Sequence, residues 1–376
     1  MITKALYIHI ASSSIAGLLT LLGPPSSRLE AAPSARFPVD TPRRWPVCQV
    51  ESVLASTKRI RVLAKLTTLG GEHVLTGRSL QLRADGRTLP CQPPRCRVTQ
   101  RRFAEQTDQS LDVALLVETS LQHQSLADDV AAASAWFATQ LPASSRLQLV
   151  TVGATPRLQP LTTAGAAAAT LKELPKSNEV EVALVDAIAQ SRTALLALRQ
   201  PAPSGRLPPR QVIIVVGSGM DLQLIPRRFA QLGDELFAAQ LPLYALALSA
   251  KNYQLPMLNL AELSWRSAGT FRWIKLTPDR PTRALLTEQL HSLSVELGAT
   301  SVLTFSGPAI EELLARQPPV ATLEVDCGEA SSPPRTVERL PTPKRPARRW
   351  LPVLAALLCF TLLALFTQLR KRIISK

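Results

Sequence analysis

The sequence predicts an α/β protein with a doubly wound, mostly parallel sheet and helices on both faces, plus a small antiparallel β domain and a C-terminal transmembrane helix. Three patterns support this prediction. Short apolar runs alternate with amphipathic segments through the middle of the chain, which is the order of strands and helices in a parallel sheet. Segments of alternating polarity flank this region, as in half-exposed strands. The last apolar run has about 20 residues, enough to cross a bilayer.

The N-terminus has the layout of an export signal. Lys4 precedes an apolar run over 5–22, and a Gly-Pro-Pro turn comes directly after it. We interpret 1–32 as a signal peptide, with an uncleaved signal anchor as the alternative. The Pro-, Ser- and Ala-rich segment 33–47 is interpreted as a linker. Either form of the signal would export the remainder of the chain.

Residues 48–107 have the pattern of a small antiparallel β domain. Apolar side chains alternate with polar ones over 60–66 and 79–83, and an Asp-Gly pair follows at 85–86. Such a pair after an alternating run favours a hairpin. Strand-like sequence within 300–328 would complete the domain, which would make the central region an insertion.

Residues 108–298 alternate between strands and helices. The predicted strands cover 112–117, 147–152, 157–161, 211–216, 243–248 and 271–274. The predicted helices cover 126–141, 184–195, 226–236, 257–268 and 282–297. This alternation predicts a doubly wound sheet, with ligands at the carboxyl ends of its strands near the point where the strand order reverses.

Four segments of this region resemble von Willebrand factor A (vWA) domains. They are 111–120 (LDVALLVETS), 146–153 (RLQLVTVG), 212–221 (VIIVVGSGMD) and 260–271 (LAELSWRSAGTF). The preceding β domain is similar to the N-terminal portion of bacterial, exported members of this group. The resemblance therefore implies a recognition domain of a bacterial cell envelope.

The family's metal-ion-dependent adhesion site is degraded in this sequence. In the family, an Asp-x-Ser-x-Ser loop, a Thr and a late Asp supply oxygens to a small hard cation, which needs them at tight octahedral distances. The resemblance places Glu118, Ser120 and Gln122 in the loop, Val180 at the Thr and Ser218 at the late Asp. Only Ser120 matches, so the resemblance predicts no functional metal site.

The remaining polar residues have two interpretations. They could hydrogen-bond to a protein partner, or they could cap helix starts, since Ser218 and Asp221 lie shortly before Pro226. The binding-face candidates are Glu118, Ser120, Gln122, Ser218 and Asp221.

Enzymatic functions have little support in the sequence. His123 lies close to Glu118 and Ser120, so a Ser-His-Glu hydrolase can be imagined, but nothing supplies an oxyanion hole. The Gly-Ser-Gly turn at 217–219 lacks the remaining positions of phosphate-binding or nucleophile-elbow motifs. We predict no enzyme, no cofactor and no small-molecule substrate.

The charge of the chain does not indicate a nucleic-acid partner. The formal net charge is +15, but many of the basic residues lie in linkers and beside the predicted membrane helix, without a basic stripe interleaved with aromatic residues. Attraction of the linkers to anionic lipid headgroups or to an acidic envelope polymer explains this charge better, and plain solvation of flexible linkers explains it better still.

Four cysteines lie outside the predicted membrane helix, an even number that suits two disulfides in an exported chain. We predict that Cys91 pairs with Cys96 and that Cys48 pairs with Cys327, joining the segments on either side of the central domain. A zinc site is disfavoured because the C-x4-C spacing has no matching pair elsewhere.

The C-terminal region predicts a membrane anchor. We interpret 329–349 as a Pro- and Arg-rich linker, 350–369 as a transmembrane helix and 370–376 as a cytoplasmic tail. Because basic residues flank both ends of the helix, its orientation is inferred from the exported N-terminus.

These patterns together predict a single-pass membrane protein whose bulk is extracytoplasmic, periplasmic or on the cell surface. Its function would be non-enzymatic protein–protein interaction or assembly, with unknown protein partners. The alternative is a metal-dependent adhesion receptor with an atypical site.

Overall fold

We describe the protein from a computed structural model. The structure describes residues 47–56, 58–67, 81–89, 91–105, 110–172, 174–175, 178–199, 209–222, 225–249, 254–316, 322–326 and 335–339. The predicted signal peptide, the transmembrane helix over 350–369 and the tail after it lie outside these residues. Within them, no helix combines the length and the hydropathy that a membrane crossing requires.

Sixteen strands occur within the described part of the chain. In chain order they are β1 Val47–Ala55, β2 Arg59–Thr67, β3 Gln81–Ala84, β4 Arg87–Leu89, β5 Arg97–Arg102, β6 Leu111–Glu118, β7 Arg146–Val152, β8 Arg157–Leu158, β9 Thr162–Thr163, β10 Arg210–Gly217, β11 Leu243–Ser249, β12 Phe271–Lys275, β13 Ser301–Ser306, β14 Thr322–Asp326, β15 Arg335–Thr336 and β16 Glu338–Arg339.

Seven α-helices occur in the same part of the chain, with 3-10 turns at Phe103–Glu105 and Leu121–Leu126. The helices are α1 Ala127–Gln140, α2 Ala164–Leu171, α3 Leu184–Ala197, α4 Pro226–Ala238, α5 Gln254–Arg266, α6 Thr282–Ala299 and α7 Pro308–Ala315.

The central sheet has the order β12-β11-β10-β6-β7-β8. All neighbouring pairs on this path are parallel except β7 with β8, which is antiparallel. The chain builds outward from β6 through β7 to one edge, then returns to β10 and builds to the other edge. The strand order therefore reverses between β6 and β10, and a crevice for ligands is expected at their carboxyl ends.

Burial on both faces explains why the central strands are apolar runs. In β6, Val113, Leu115 and Val117 belong to the core beneath α1, α2 and α6, whereas Ala114 and Leu116 belong to the core beneath α3, α4 and α5. Because side chains of a strand alternate between faces, a sheet covered on both sides needs apolar residues at every position. The predicted mostly parallel α/β sheet with helices on both faces is confirmed.

The flanking strands form a second layered unit. One sheet has the order β16-β1-β2-β13-β5 and the other has the order β15-β14-β3-β4. Their apolar faces share one core, which includes Val50, Ile60 and Phe305 from the first sheet and Leu82 from the second. Strand β13 lies between β2 and β5 and pairs antiparallel with both, so chain from beyond the central domain completes this sheet.

Local geometry supports the hairpin and one disulfide. Asp85 and Gly86 have φ values of 47° and 76° between β3 and β4, as a tight two-residue hairpin turn requires. Cys91 and Cys96 form a disulfide, so this predicted pair is confirmed. Cys48 is also disulfide-bonded. Its predicted partner Cys327 lies outside the described residues, so that pairing stays a prediction.

A buried ionic network joins the β unit to the central domain. Glu51 of β1 accepts hydrogen bonds from Arg210 at 2.7 and 2.9 Å and from the Tyr244 hydroxyl at 2.8 Å. Beside them, Glu296 of α6 pairs with Lys65 at 2.9 Å. Burial raises the pKa of Tyr244 well above its ordinary value, and the negative charge of Glu51 adds to this effect. The hydroxyl therefore stays protonated and donates to Glu51.

Candidate functional site

The carboxylate of Glu118 occupies the crevice where the strand order reverses. Glu118 ends β6, and its Oε2 accepts hydrogen bonds from the Ser218 backbone N–H at 2.6 Å and from the Ser218 hydroxyl at 2.8 Å. Its Oε1 accepts from the Ser120 hydroxyl at 2.7 Å and lies 3.0 Å from Nδ1 of His123. Both carboxylate oxygens are thus engaged by donors of the chain itself.

These donors keep Glu118 ionised in a buried position. Burial alone would raise the pKa of this carboxyl group because it disfavours the charged form. The contact with His123 and the hydrogen bonds from Ser218 and Ser120 outweigh burial, and the pKa of Glu118 is lowered below 4.5. We call Glu118, Ser120, His123 and Ser218 the Glu118 network.

The close approach of β10 to Glu118 depends on glycine. A Cβ atom at Gly217 would lie 2.6 Å from Glu118 Oε2 and 2.8 Å from its Cβ. Real side chains do not approach so closely, so any larger residue at 217 would push the carboxylate away from Ser218. The Gly-Ser sequence after β10 therefore serves the Glu118 network.

The segment 179–182 bridges the two loops of the site. The carbonyl of Glu179 accepts a hydrogen bond from the Leu121 N–H at 2.7 Å, and the carbonyl of Val182 accepts one from the Leu222 N–H at 2.6 Å. The loops after β6 and β10 are thereby fixed on either side of one short stretch of chain. Val180, at the position of the family's Thr, is 59% exposed in the middle of that stretch.

The alternative interpretation, that these polar residues cap helix starts, fits Asp221 at the start of α3 but not Ser218. The N-cap of α4 is Ile225, and no side chain caps it. The Ser218 hydroxyl instead donates to Glu118 and accepts from the Met220 N–H at 3.1 Å. Asp221 accepts a hydrogen bond at 3.0 Å from the N–H of Val185, in the first turn of α3.

Three of the five candidate binding residues therefore meet directly. Glu118, Ser120 and Ser218 share one set of hydrogen bonds, while Asp221 faces the start of α3. Gln122 lies in the 3-10 turn Leu121–Leu126, and its side chain lies outside the described part of the structure. The network also includes His123, which the sequence indicated only as a member of a catalytic triad.

Sequence reasoning missed an apolar feature of this edge. Leu121, Val180 and Leu222 are large aliphatic residues with exposed fractions of 45, 59 and 47%. They lie on the three loops that the two backbone hydrogen bonds join. The available signal was an aliphatic residue in a turn that directly follows a strand or precedes a helix, where polar residues are usual.

The residues of the site do not fit the divalent cation of the metal-ion-dependent adhesion site. Such an ion needs several free oxygen ligands, including carboxylates, at tight distances. Here the two oxygens of Glu118 already face N–H and O–H donors, and Val180 offers no side-chain oxygen. Across the residues that the structure describes, no group of three or more His, Cys, Asp or Glu side chains is arranged to hold a metal.

The arrangement also differs from a hydrolase triad. In a triad the imidazole lies between the hydroxyl and the carboxylate and takes the proton of the hydroxyl. Here the carboxylate of Glu118 lies between Ser120 and His123, and the Ser120 hydroxyl donates to it at 2.7 Å. The imidazole of His123 therefore does not lie between the hydroxyl and the carboxylate, as a triad requires.

Comparison with known proteins finds similarity only among solved structures, since no family model and no curated protein sequence matches the chain. BatB from Bacteroides thetaiotaomicron is 13% identical over 50% of this chain and 97% of its own, with a TM-score of 0.36. A von Willebrand factor type A protein from Catenulispora acidiphila is 12% identical over 68% of this chain and 50% of its own, with a TM-score of 0.40. The SpRpn10 VWA domain is 14% identical over 48% of this chain and 94% of its own, with a TM-score of 0.35.

The strand order and the antiparallel edge strand make the central region a doubly wound α/β domain. Its strand ends carry the segments that resemble vWA domains. A β unit built from chain on both sides of this domain is attached to it.

Proposed function

We propose that this protein is a non-enzymatic protein–protein interaction or assembly module that binds at the carboxyl edge of its vWA-like sheet without a metal ion. The observation that carries this proposal is the Glu118 network. Three hydrogen bonds from Ser120 and Ser218 reach the carboxylate where the family places its cation, and Nδ1 of His123 lies 3.0 Å from it. A partner would therefore bind to protein side chains directly and not through a bridging ion.

The proposal extends to the location of the protein. The predicted signal over 1–32 and the predicted membrane helix over 350–369 support a single-pass protein whose bulk is extracytoplasmic. The disulfide between Cys91 and Cys96 suits the oxidising compartment that this topology implies. We propose a bacterial cell envelope as its setting.

A capture experiment tests the proposed function. The full chain is immobilised through a C-terminal tag and incubated with solubilised native membranes. One sample contains Mg²⁺ and the other contains EDTA, and both have the same ionic strength, so that screening of charges is equal. We expect the same protein partners at the same yield in both samples, because no cation takes part in binding.

Two outcomes would contradict the proposal. Loss of the partners in EDTA would support the alternative, a metal-dependent adhesion receptor with an atypical site. Failure to enrich any protein over the same tagged chain after heat denaturation would show that the protein is not an interaction module. The Ser120→Ala and His123→Ala variants add a check on catalysis, since neither should change the covalent state of a captured partner.

A further inference from the structure

Three exposed aliphatic residues lie on adjacent loops at the carboxyl edge of the central sheet. We call Leu121, Val180 and Leu222 the apolar edge. Leu121 is joined through its N–H to Glu179, and Leu222 through its N–H to Val182, so Val180 lies between them. Since three residues of chain span at most about 10 Å, the backbones of the three loops lie side by side.

The apolar edge continues onto neighbouring segments. Ile225 lies three residues after Leu222, and Leu255 lies in the first turn of α5. That turn is close to the loop after β10, because a Cβ at Gly219 would lie 2.9 Å from the carbonyl oxygen of Pro256. Eight large apolar side chains are exposed among the described residues, and five of them lie here. Single exposed apolar residues are ordinary, but a contiguous group marks an interaction site.

The charges beside Val180 are negative, whereas the exposed Arg227 lies on the Ile225 side of the apolar edge. Glu179 and Glu181 flank Val180, and both are exposed. One carboxylate oxygen of Glu179 accepts a hydrogen bond from the Ala154 N–H at 2.7 Å, so Glu181 is the main charge offered to a partner. Glu181 makes no ion pair with any residue in the described part of the chain, whereas the nearby Asp186 of α3 is paired with Arg228 at 3.1 Å. The whole chain has a formal net charge of +15, so an acidic margin at this position contrasts with the rest of the protein.

We infer that the apolar edge binds a protein segment in which large apolar side chains alternate with lysine or arginine. This inference rests on the proposed function and names the chemistry of the partner. Apolar side chains of the partner would cover Leu121, Val180 and Leu222, and its cations would face Glu181 and Glu179. In the family, the bound ion selects a carboxylate of the partner. Glu179 and Glu181 would repel a carboxylate, so this protein would select a positively charged partner instead.

Synthetic peptides provide a direct test on the full chain in phosphatidylcholine nanodiscs. The probes are three fluorescein-labelled hexapeptides: Lys-Leu-Phe-Lys-Leu-Lys, the same peptide with glutamate for every lysine, and the same peptide with serine for every apolar residue. Fluorescence anisotropy, with empty nanodiscs as the blank, measures each Kd. We expect the first peptide to bind at least about tenfold more tightly than either of the others, a difference of about 1.4 kcal/mol.

Matched variants assign the binding to the apolar edge. Leu121→Ser/Val180→Ser/Leu222→Ser should raise the Kd of the first peptide at least about tenfold, and Glu181→Gln should raise it a few-fold and reduce its salt dependence. Val295→Ser in α6 is the matched control, because Val295 is 56% exposed and Val180 is 59% exposed. This control should leave the Kd within about twofold. All substituted side chains are exposed, so far-UV circular dichroism should stay unchanged.

Equal affinity for the three peptides, tighter binding of the acidic peptide, or an equal loss in the Val295→Ser control would overturn the inference. The capture experiment separates this failure from failure of the proposed function. If the triple variant captures the same partners in EDTA as the unsubstituted chain, the partner binds elsewhere and only this inference is wrong. If the unsubstituted chain itself requires Mg²⁺, the proposed function is wrong.

Discussion

Replacing Glu118 by glutamine tests whether protein donors have taken the place of a cation. The change keeps the size of the side chain and removes its charge. A glutamine has one acceptor oxygen and one NH₂ group, whereas Glu118 offers acceptors on both sides, to Ser218 and to Ser120. If the amide turns its NH₂ group toward Ser120, the hydroxyl of Ser120 can accept, so the lost charge is the main cost.

The size of the effect follows from these contacts. Each of the three hydrogen bonds from Ser120 and Ser218 loses its charge assistance, at about 1 kcal/mol per bond. We therefore expect Glu118→Gln to lower the free energy of unfolding by about 3 kcal/mol at pH 7. Urea unfolding of the full chain, followed by far-UV circular dichroism, measures this difference.

The pH dependence has a definite sign. The pKa of Glu118 is lower in the folded chain than its ordinary value of 4.5. Its contribution to stability is therefore fully present above pH 4.5, and it is lost as the pH falls through the folded pKa. The difference between wild type and Glu118→Gln should shrink in this acidic range.

The control is Glu181→Gln, which removes the charge of an exposed glutamate in the same region. A surface change of this kind should alter stability by less than about 0.5 kcal/mol. The reasoning would be refuted by an equally small effect of Glu118→Gln at pH 7, because the carboxylate would then contribute nothing to the fold.

Three further predictions concern other contacts. Arg210→Met should lower the free energy of unfolding by about 3–5 kcal/mol, because it leaves the buried Glu51 without its guanidinium partner. The added change Glu51→Leu should recover much of this loss. Urea unfolding that shows no recovery would contradict the pairing. Gly217→Ala should lower stability by about 1–3 kcal/mol through overpacking against Glu118, and an unchanged melting temperature would count against the close approach. Asp221→Ala should cost about 1 kcal/mol because α3 loses its cap, and amide hydrogen exchange at Val185 should become faster; unchanged exchange would exclude this role.

The sequence predicted the central sheet well because its strands are buried on both faces. The runs in β6, β7, β10 and β11 were visible without knowledge of their neighbours. The 3.6-residue spacing in α1 and α3 was equally visible, since one face of each is apolar.

Other elements were missed for local physical reasons. Helix α2 has the sequence AGAAAATL, which offers no contrast between an apolar face and a polar face. Strand β1 was not predicted as a separate strand, because its register shifts between Val50 and Ser52 and this shift breaks the two-residue alternation of polarity. Glu51 also lies in its middle, and a buried charge is unexpected until its partner Arg210, 159 residues away, is known.

The candidate site was predictable only where strands fix the positions of residues. Glu118 and Ser218 follow neighbouring parallel strands, so their meeting follows from the strand order. The partner of Asp221 depends on the path of the loop after β10, which no local pattern specifies. The apolar edge depends on the two backbone hydrogen bonds between loops, so its contiguity became visible only in three dimensions.

The central claim is that the Glu118 carboxylate is held by protein donors and binds no divalent ion. Calorimetric titration of the full chain with Mg²⁺, Mn²⁺ and Ca²⁺ tests it most directly. We expect no saturable heat and no change in melting temperature with any of the three ions. A saturable heat that Glu118→Gln abolishes would contradict the claim, as would stabilisation approaching about 2.7 kcal/mol at an ion concentration 100 times the Kd.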